Sequence, residues 1–145
     1  MRLTQEADYA LRIVWVLGRE NETLDARKIS EKACVPERFT VKILRKLVQN
    51  GIAASRKGAM GGYLLASDPR LVTMKQVIET IEGPLGISRC LGEDYDCARN
   101  PNKKCCIFHL IFEKINKEMV EKFDRITIAD TVDDKIGIDA ILEII

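Results

Sequence analysis

The sequence has one histidine, one tryptophan and four prolines in 145 residues, and aromatic residues make up only 6% of it. No run reaches the roughly 18 apolar residues that a membrane-spanning helix needs. There is no glycine loop of the nucleotide-binding kind, no acid–base pair set out for catalysis, no internal repeat and no low-complexity segment. The opening MRLTQEADYALRIVWVLGRE carries an acidic pair near its start and no small-residue cleavage site. It does not read as a signal peptide, so a cytoplasmic protein without a membrane partner is expected.

What is present fits a folded, soluble chain. Apolar residues make up 46%, enough for a core, and charged residues 31%. The net charge of +1 conceals an uneven distribution, with 13 Lys/Arg against 8 Asp/Glu in residues 1–70 and 10 against 14 in residues 71–145. A basic front half and an acidic back half suit a DNA-facing module joined to a part that does not touch DNA. Of the five cysteines, Cys90, Cys97, Cys105 and Cys106 fall within 17 residues and Cys34 stands apart. An odd count without an export signal argues for reduced thiols that bind metal or react, rather than for a disulfide framework.

Periodicity divides the chain further. Leu3, Ala7, Ala10, Leu11, Val14 and Leu17 predict a helix capped by Thr4 and ending at Gly18. A short helix over Asp25–Ala33 follows, then a brief turn at Cys34 and Val35, with Cys34 expected to fill an apolar corner. A longer helix starts at Pro36 and stops at Asn50–Gly51. Two helices joined by so short a turn, the second one basic, form a helix-turn-helix. Ile52–Ser55 and Tyr63–Ala66 read as two strands around the glycine-rich Arg56–Gly62, a hairpin in the position of a wing. Thr73 caps a helix over Met74–Glu82 that Gly83-Pro84 ends.

Residues 85–104 form a polar, cysteine-bearing loop, long enough to be functional. From Cys105 to Phe123 a long helix carries Phe108, Phe112, Ile115, Met119 and Phe123 at helical spacing, a face broad enough to need a partner helix. Thr127–Val132 predicts another short helix, and the apolar tail IGIDAILEII is expected to pack or swap. The expected fold is mainly α with a small β-hairpin wing. Residues 1–70 would form the DNA-binding region, 71–104 a helix with the cysteine loop, and 105–145 the dimerisation helix and tail, all in one compact chain.

On the second helix of the helix-turn-helix, Phe39, Ile43, Leu44, Leu47 and Val48 supply the buried side. Arg38, Lys42, Arg45 and Gln49 recur on the other. Arg38, Lys42, Arg45 and Lys46 can reach phosphates and base edges in a major groove, and Thr40 joins the candidate set. Arg56 and Lys57 at the wing can enter a neighbouring minor groove, Gly58 lets the backbone approach DNA, and Arg2 adds a phosphate contact. A basic face is often merely solvated. Here it coincides with the turn length and the glycine-rich hairpin, and together they favour double-stranded DNA as the partner.

The cysteine loop reads Cys90-x6-Cys97-x7-Cys105-Cys106-x2-His109. Thiolates are soft ligands for iron–sulfur clusters, zinc or copper(I), and imidazole suits iron and zinc. Either Cys105 or Cys106 can pair with His109 on a helix start, and spacing alone does not choose. Structural zinc favours tighter pairs such as C-x2-C, and a metal-free thiol switch is a further alternative. An iron–sulfur cluster accounts best for the set.

The opening MRLTQEADYALR, the wing RKGAMGGYLLA, the following VTMKQVIETIEG and the cysteine loop before a long helix together resemble the IscR/NsrR/CymR-type regulators, the Rrf-two family. The likeness spans nearly the whole chain. It implies a dimeric winged-helix repressor or activator governing iron–sulfur assembly, nitric-oxide response or cysteine metabolism. It also implies Cys90, Cys97 and Cys106 as ligands, with Cys106, His109 and Phe112 matching the branch in which a histidine completes a 2Fe–2S site. In the nitric-oxide branch an acidic residue near the N-terminus of the other subunit completes a 4Fe–4S site, and Asp8 matches it. The doubled cysteine and the long spacings depart from the commonest pattern. A small redox protein or thiol enzyme, and a zinc-stabilised DNA-binding protein, are the rival readings. Arg56→Ala or Lys42→Ala is expected to weaken DNA binding without unfolding the chain, and binding should fall steeply with salt. Titrations of duplex DNA at several ionic strengths check both.

Overall fold

Ala7, Ala10, Ile13, Val14, Val16 and Leu17 are all buried, and they lie on the first helix, α1 (Gln5–Glu20). The structure, a computed structural model, describes residues 2–92, 95, 97–98, 106–135 and 137–144. Thr4 caps α1 as expected, its hydroxyl accepting from the Ala7 amide at 3.2 Å. The helix runs through Gly18 and ends at Asn21, which takes the left-handed conformation at φ 49°. Gly18 therefore has another role. A Cβ there would lie 2.7 Å from Cγ2 of the buried Ile128, so the missing side chain is what lets the C-terminal segment lie against α1.

α2 (Ala26–Ala33) is capped by Asp25 and α3 (Glu37–Gln49) begins after Pro36. Between them Cys34 adopts φ 53° and is exposed, not buried as its apolar character suggested. At a left-handed helix end the side chain turns outward while the neighbouring Ala33 and Val35 enter the core. β1 (Ala53–Arg56) pairs antiparallel with β2 (Gly62–Leu65), Arg56 opposite Gly62. A bridge from Leu24 to Tyr63, with both amides bonded at 2.9 and 2.7 Å, fastens this hairpin to the start of α2.

A 3-10 turn at Pro69–Leu71 leads into α4 (Met74–Glu82), fixed by a reciprocal capping box between Thr73 and Gln76. A second 3-10 turn, Arg89–Leu91, lies within the cysteine-bearing segment. α5 (Ile107–Arg125) is the longest helix among the described residues and has no buried residue. The chain then returns to the first core. The Met74 amide donates to the Ile126 carbonyl at 2.9 Å and the Ile128 amide to the Val72 carbonyl at 2.8 Å. α6 (Ile128–Val132) receives the Trp15 indole N–H at its Thr131 carbonyl, 2.9 Å away. α7 (Ile138–Ile144) carries the apolar tail, with Ile138 and Leu142 exposed.

Gly18→Ala should destabilise the fold by about 1–3 kcal/mol, because the added methyl meets a β-branched side chain already packed on all sides. Thermal unfolding of the variant measures it, and an unchanged midpoint would show that α6 can shift to make room.

Candidate nucleic-acid interface and cysteine site

α3 packs on α1, and its Ile43, Leu44 and Leu47 are fully buried. That leaves Arg38, Lys42, Arg45 and Gln49 on the exposed side, as their spacing requires. Thr40 belongs to the inner side. It is fully buried, and its hydroxyl lies 3.3 Å from the carbonyls of both Val35 and Pro36. The candidate DNA contact at Thr40 is thereby corrected, since residue 40 shares a helical face with 43, 44 and 47. Arg38 stacks over the Phe39 ring at 4.8 Å, and that ring lies 5.8 Å from Tyr9 of α1.

Two cations of α3 are already partnered. Lys46 Nζ lies 2.7 Å from Glu6 Oε1 and Lys42 Nζ lies 3.1 Å from Glu6 Oε2. The Lys46 ammonium, with Lys42 beside it, holds the Glu6 carboxyl below its ordinary range despite partial burial. In the sequence Glu6 is one of the acidic pair near the start, with no local pattern tying it to α3. At the hairpin, Arg56, Lys57 and Gly58 are exposed together, and Gly58 takes φ 107°, a turn that a side chain would strain. Arg2 is exposed ahead of α1.

Three of the four loop cysteines lie among the described residues. Cys90, Cys97 and Cys106 are free and half-buried, while Cys105 lies outside the described residues. Cys90 Sγ is 3.2 Å from Ser88 Oγ, and Cys106 stands at the N-cap of α5. His109, in the first turn of α5, has its Nδ1 buried with no hydrogen-bond partner among the described residues. Such an atom is costly unless something coordinates it or hydrogen-bonds to it. Asp8 pairs with Arg12 at 2.9 Å on its own helix. Among the described residues, no three His, Cys, Asp or Glu side chains converge closely enough to hold a metal ion. The donor types fit an iron–sulfur cluster, and loop thiolates are ordinarily gathered by the metal they bind.

The start of this loop is pinned to α5. Asn116 accepts from the Ile87 amide at 3.0 Å and donates to the Leu85 carbonyl at 3.1 Å. The signal for this clamp in the sequence is an asparagine one helical turn from Phe112, Met119 and Val120. The apolar stripe of α5 divides. Phe112, Met119 and Phe123 are half-buried against the rest of the chain, whereas Phe108 and Ile115 are exposed, together with Ile107 and Ile111.

A helix-turn-helix with a basic outer face, followed by a glycine-tipped hairpin, defines the chain as a winged-helix protein of the DNA-binding type. The family described as Rrf2, iron-dependent transcriptional regulator, matches residues 3–134. The chain belongs to that family. An rrf2-like HTH-type transcriptional regulator of Rhodobacter capsulatus is 27% identical over 135 residues, covering 88% of this chain and 90% of that protein. The HTH-type transcriptional regulator IscR of Klebsiella pneumoniae is 24% identical over 137 residues, covering 93% and 82%. The fold is shared with T. potens IscR (TM-score 0.72, 23% identity, covering 93% of this chain and 88% of that one). It is shared equally with CymR, the global cysteine regulator of B. subtilis (TM-score 0.72, 23% identity, covering 91% and 96%). The chain is thus a transcriptional regulator and not an enzyme, which sets aside the redox-enzyme alternative. Among the described residues no helix is long and apolar enough to cross a membrane.

Replacing Asn116 by Ala leaves the Ile87 amide and Leu85 carbonyl without partners, at a local cost of about 1–3 kcal/mol. Hydrogen exchange at the Ile87 amide should accelerate by about tenfold or more. Unchanged exchange would mean that the loop start is held by other contacts.

Proposed function

We propose that the chain is a homodimeric repressor that binds operator DNA through α3 and the hairpin and holds an iron–sulfur cluster on Cys90, Cys97, Cys106 and His109. The observation that carries this reading is Nδ1 of the chain's sole histidine, buried without a hydrogen-bond partner among the described residues and three positions from the free thiol of Cys106. A 2Fe–2S cluster is the favoured form, with Asp8 from a second subunit and a 4Fe–4S cluster as the alternative. When bound, such a cluster would supply a redox-sensitive tie between the loop and the start of α5.

The chain's own residues carry that tie outward. Asn116 joins the loop to α5, and Asp124 near the end of α5 receives the Thr73 hydroxyl at 3.1 Å and Lys75 at 3.6 Å, both beside the start of α4. α4 packs on α1 and α3. The exposed Ile107, Phe108, Ile111 and Ile115 offer α5 an apolar seam for a second copy. A change in loop order can thereby shift the population of dimers whose recognition helices match the groove spacing. Genes for cluster assembly or cysteine supply are the proposed targets.

Anaerobic purification, an absorption spectrum and metal analysis test the cofactor. Ultracentrifugation and promoter binding with and without cluster test the rest. A coloured, iron-loaded dimer whose promoter affinity depends on the cluster is expected. A colourless, zinc-loaded and iron-free protein would remove the sensing mechanism while leaving DNA binding intact.

A further inference from the structure

Glu6 is the one carboxylate described as pairing with the outer face of α3, and it contacts two of that face's cations at once. Its side chain is only 24% exposed, against 57% for Lys42 and 34% for Lys46. The contact joins residues 36 and 40 positions apart, so it exists only because α1 and α3 are docked. Resting on the DNA-binding reading, we infer that Glu6 is a positioning and specificity-determining residue that tempers non-specific DNA binding by holding Lys42 and Lys46 against α1.

Charge arithmetic gives the reason. Two free lysines would present two positive charges to the phosphate backbone, whereas the Glu6–Lys42–Lys46 triad presents one. Sequence-independent affinity grows with the number of phosphates neutralised, through release of condensed counterions. A phosphate approaching this face must either draw a lysine from a short ion pair or accept a carboxylate nearby, and both weaken contact. Arg45, Arg56 and Lys57 have no carboxylate partner among the described residues. The backbone attraction then rests on residues away from the triad. Contacts that need the α3 face to seat closely, and so to read base edges, become a larger share of the total. Loose association with any duplex is penalised more than a fitted one.

Glu6→Gln keeps the shape and removes the charge. Binding to a random-sequence duplex, measured at several salt concentrations, is expected to tighten by about threefold to thirtyfold. The slope of log K against log salt should steepen by about one. Lys42→Met should flatten the slope by about one in the wild type and in the Glu6→Gln background alike, because each then loses one positive charge. Thermal unfolding of each variant confirms that the fold persists. Unchanged affinity and slope in Glu6→Gln would overturn the inference. Weaker binding at unchanged slope would overturn it too, showing that Glu6 merely braces α3. Wild-type binding indifferent to salt would instead overturn the DNA-binding reading itself, and the inference with it.

Discussion

The burial of α1 is the constraint on which the rest of the molecule depends. It touches α2, α3, α4, α6 and β2, so four of the other six described helices and one strand of the hairpin are placed by reference to it. Small residues make this possible. Ala7 and Ala10 admit neighbouring helices closely, and Gly18 admits the Ile128 methyl where no Cβ would fit. Large apolar residues between them, Ile13, Val14 and Leu17, supply the area removed from water that holds the arrangement together. Because α1 is enclosed from so many directions, α3 has one side left to present, and that side carries Arg38, Lys42 and Arg45.

The same packing joins the two ends of the chain. Residues 126–132 return to α1 after the long excursion of α5, through backbone bonds to Val72 and Met74 and the Trp15 indole bond to Thr131. Arg19 and Asp134 add an ion pair at 2.9 Å where this segment ends, of small worth at so exposed a place. α5 is therefore anchored at its far end to the DNA-binding body and, through Asn116, to the cysteine-bearing loop. The proposed signal has a continuous set of contacts to travel along. Its energetic weight would come from whichever dimer geometry the loop's state favours.

Much of the fold was legible locally. Thr4, Asp25, Thr73 and Thr127 each cap the helix that their spacing announced, with side chains accepting from the backbone amide three residues on. The hairpin was visible from its glycines and the alternation around them. Three residues misled. Gly18 looked like a helix stop and proved to be a packing contact, because helix continuation was decided by the buried face rather than by propensity. Cys34 looked apolar and turned outward, because the turn between α2 and α3 requires a left-handed residue there. Thr40 looked available to DNA and faces inward. The candidate ligands Cys90, Cys97, Cys106 and His109 were named by chemistry and spacing, but the loop between them carries no periodic signal that would place them together.

The sequence by itself determined where helices begin and end and which face of each is apolar, because caps and periodicity act over a few residues and carry their own stabilisation. It also determined the family, through motifs spread along the chain. Only the tertiary structure decided which charges on the recognition helix are free. Lys42 and Lys46 read as bare cations until α1 docks and brings Glu6 within 3.1 and 2.7 Å of them. No local pattern encodes that contact. It follows from how two helices cross when their apolar faces are buried together, a choice made by packing over the whole core.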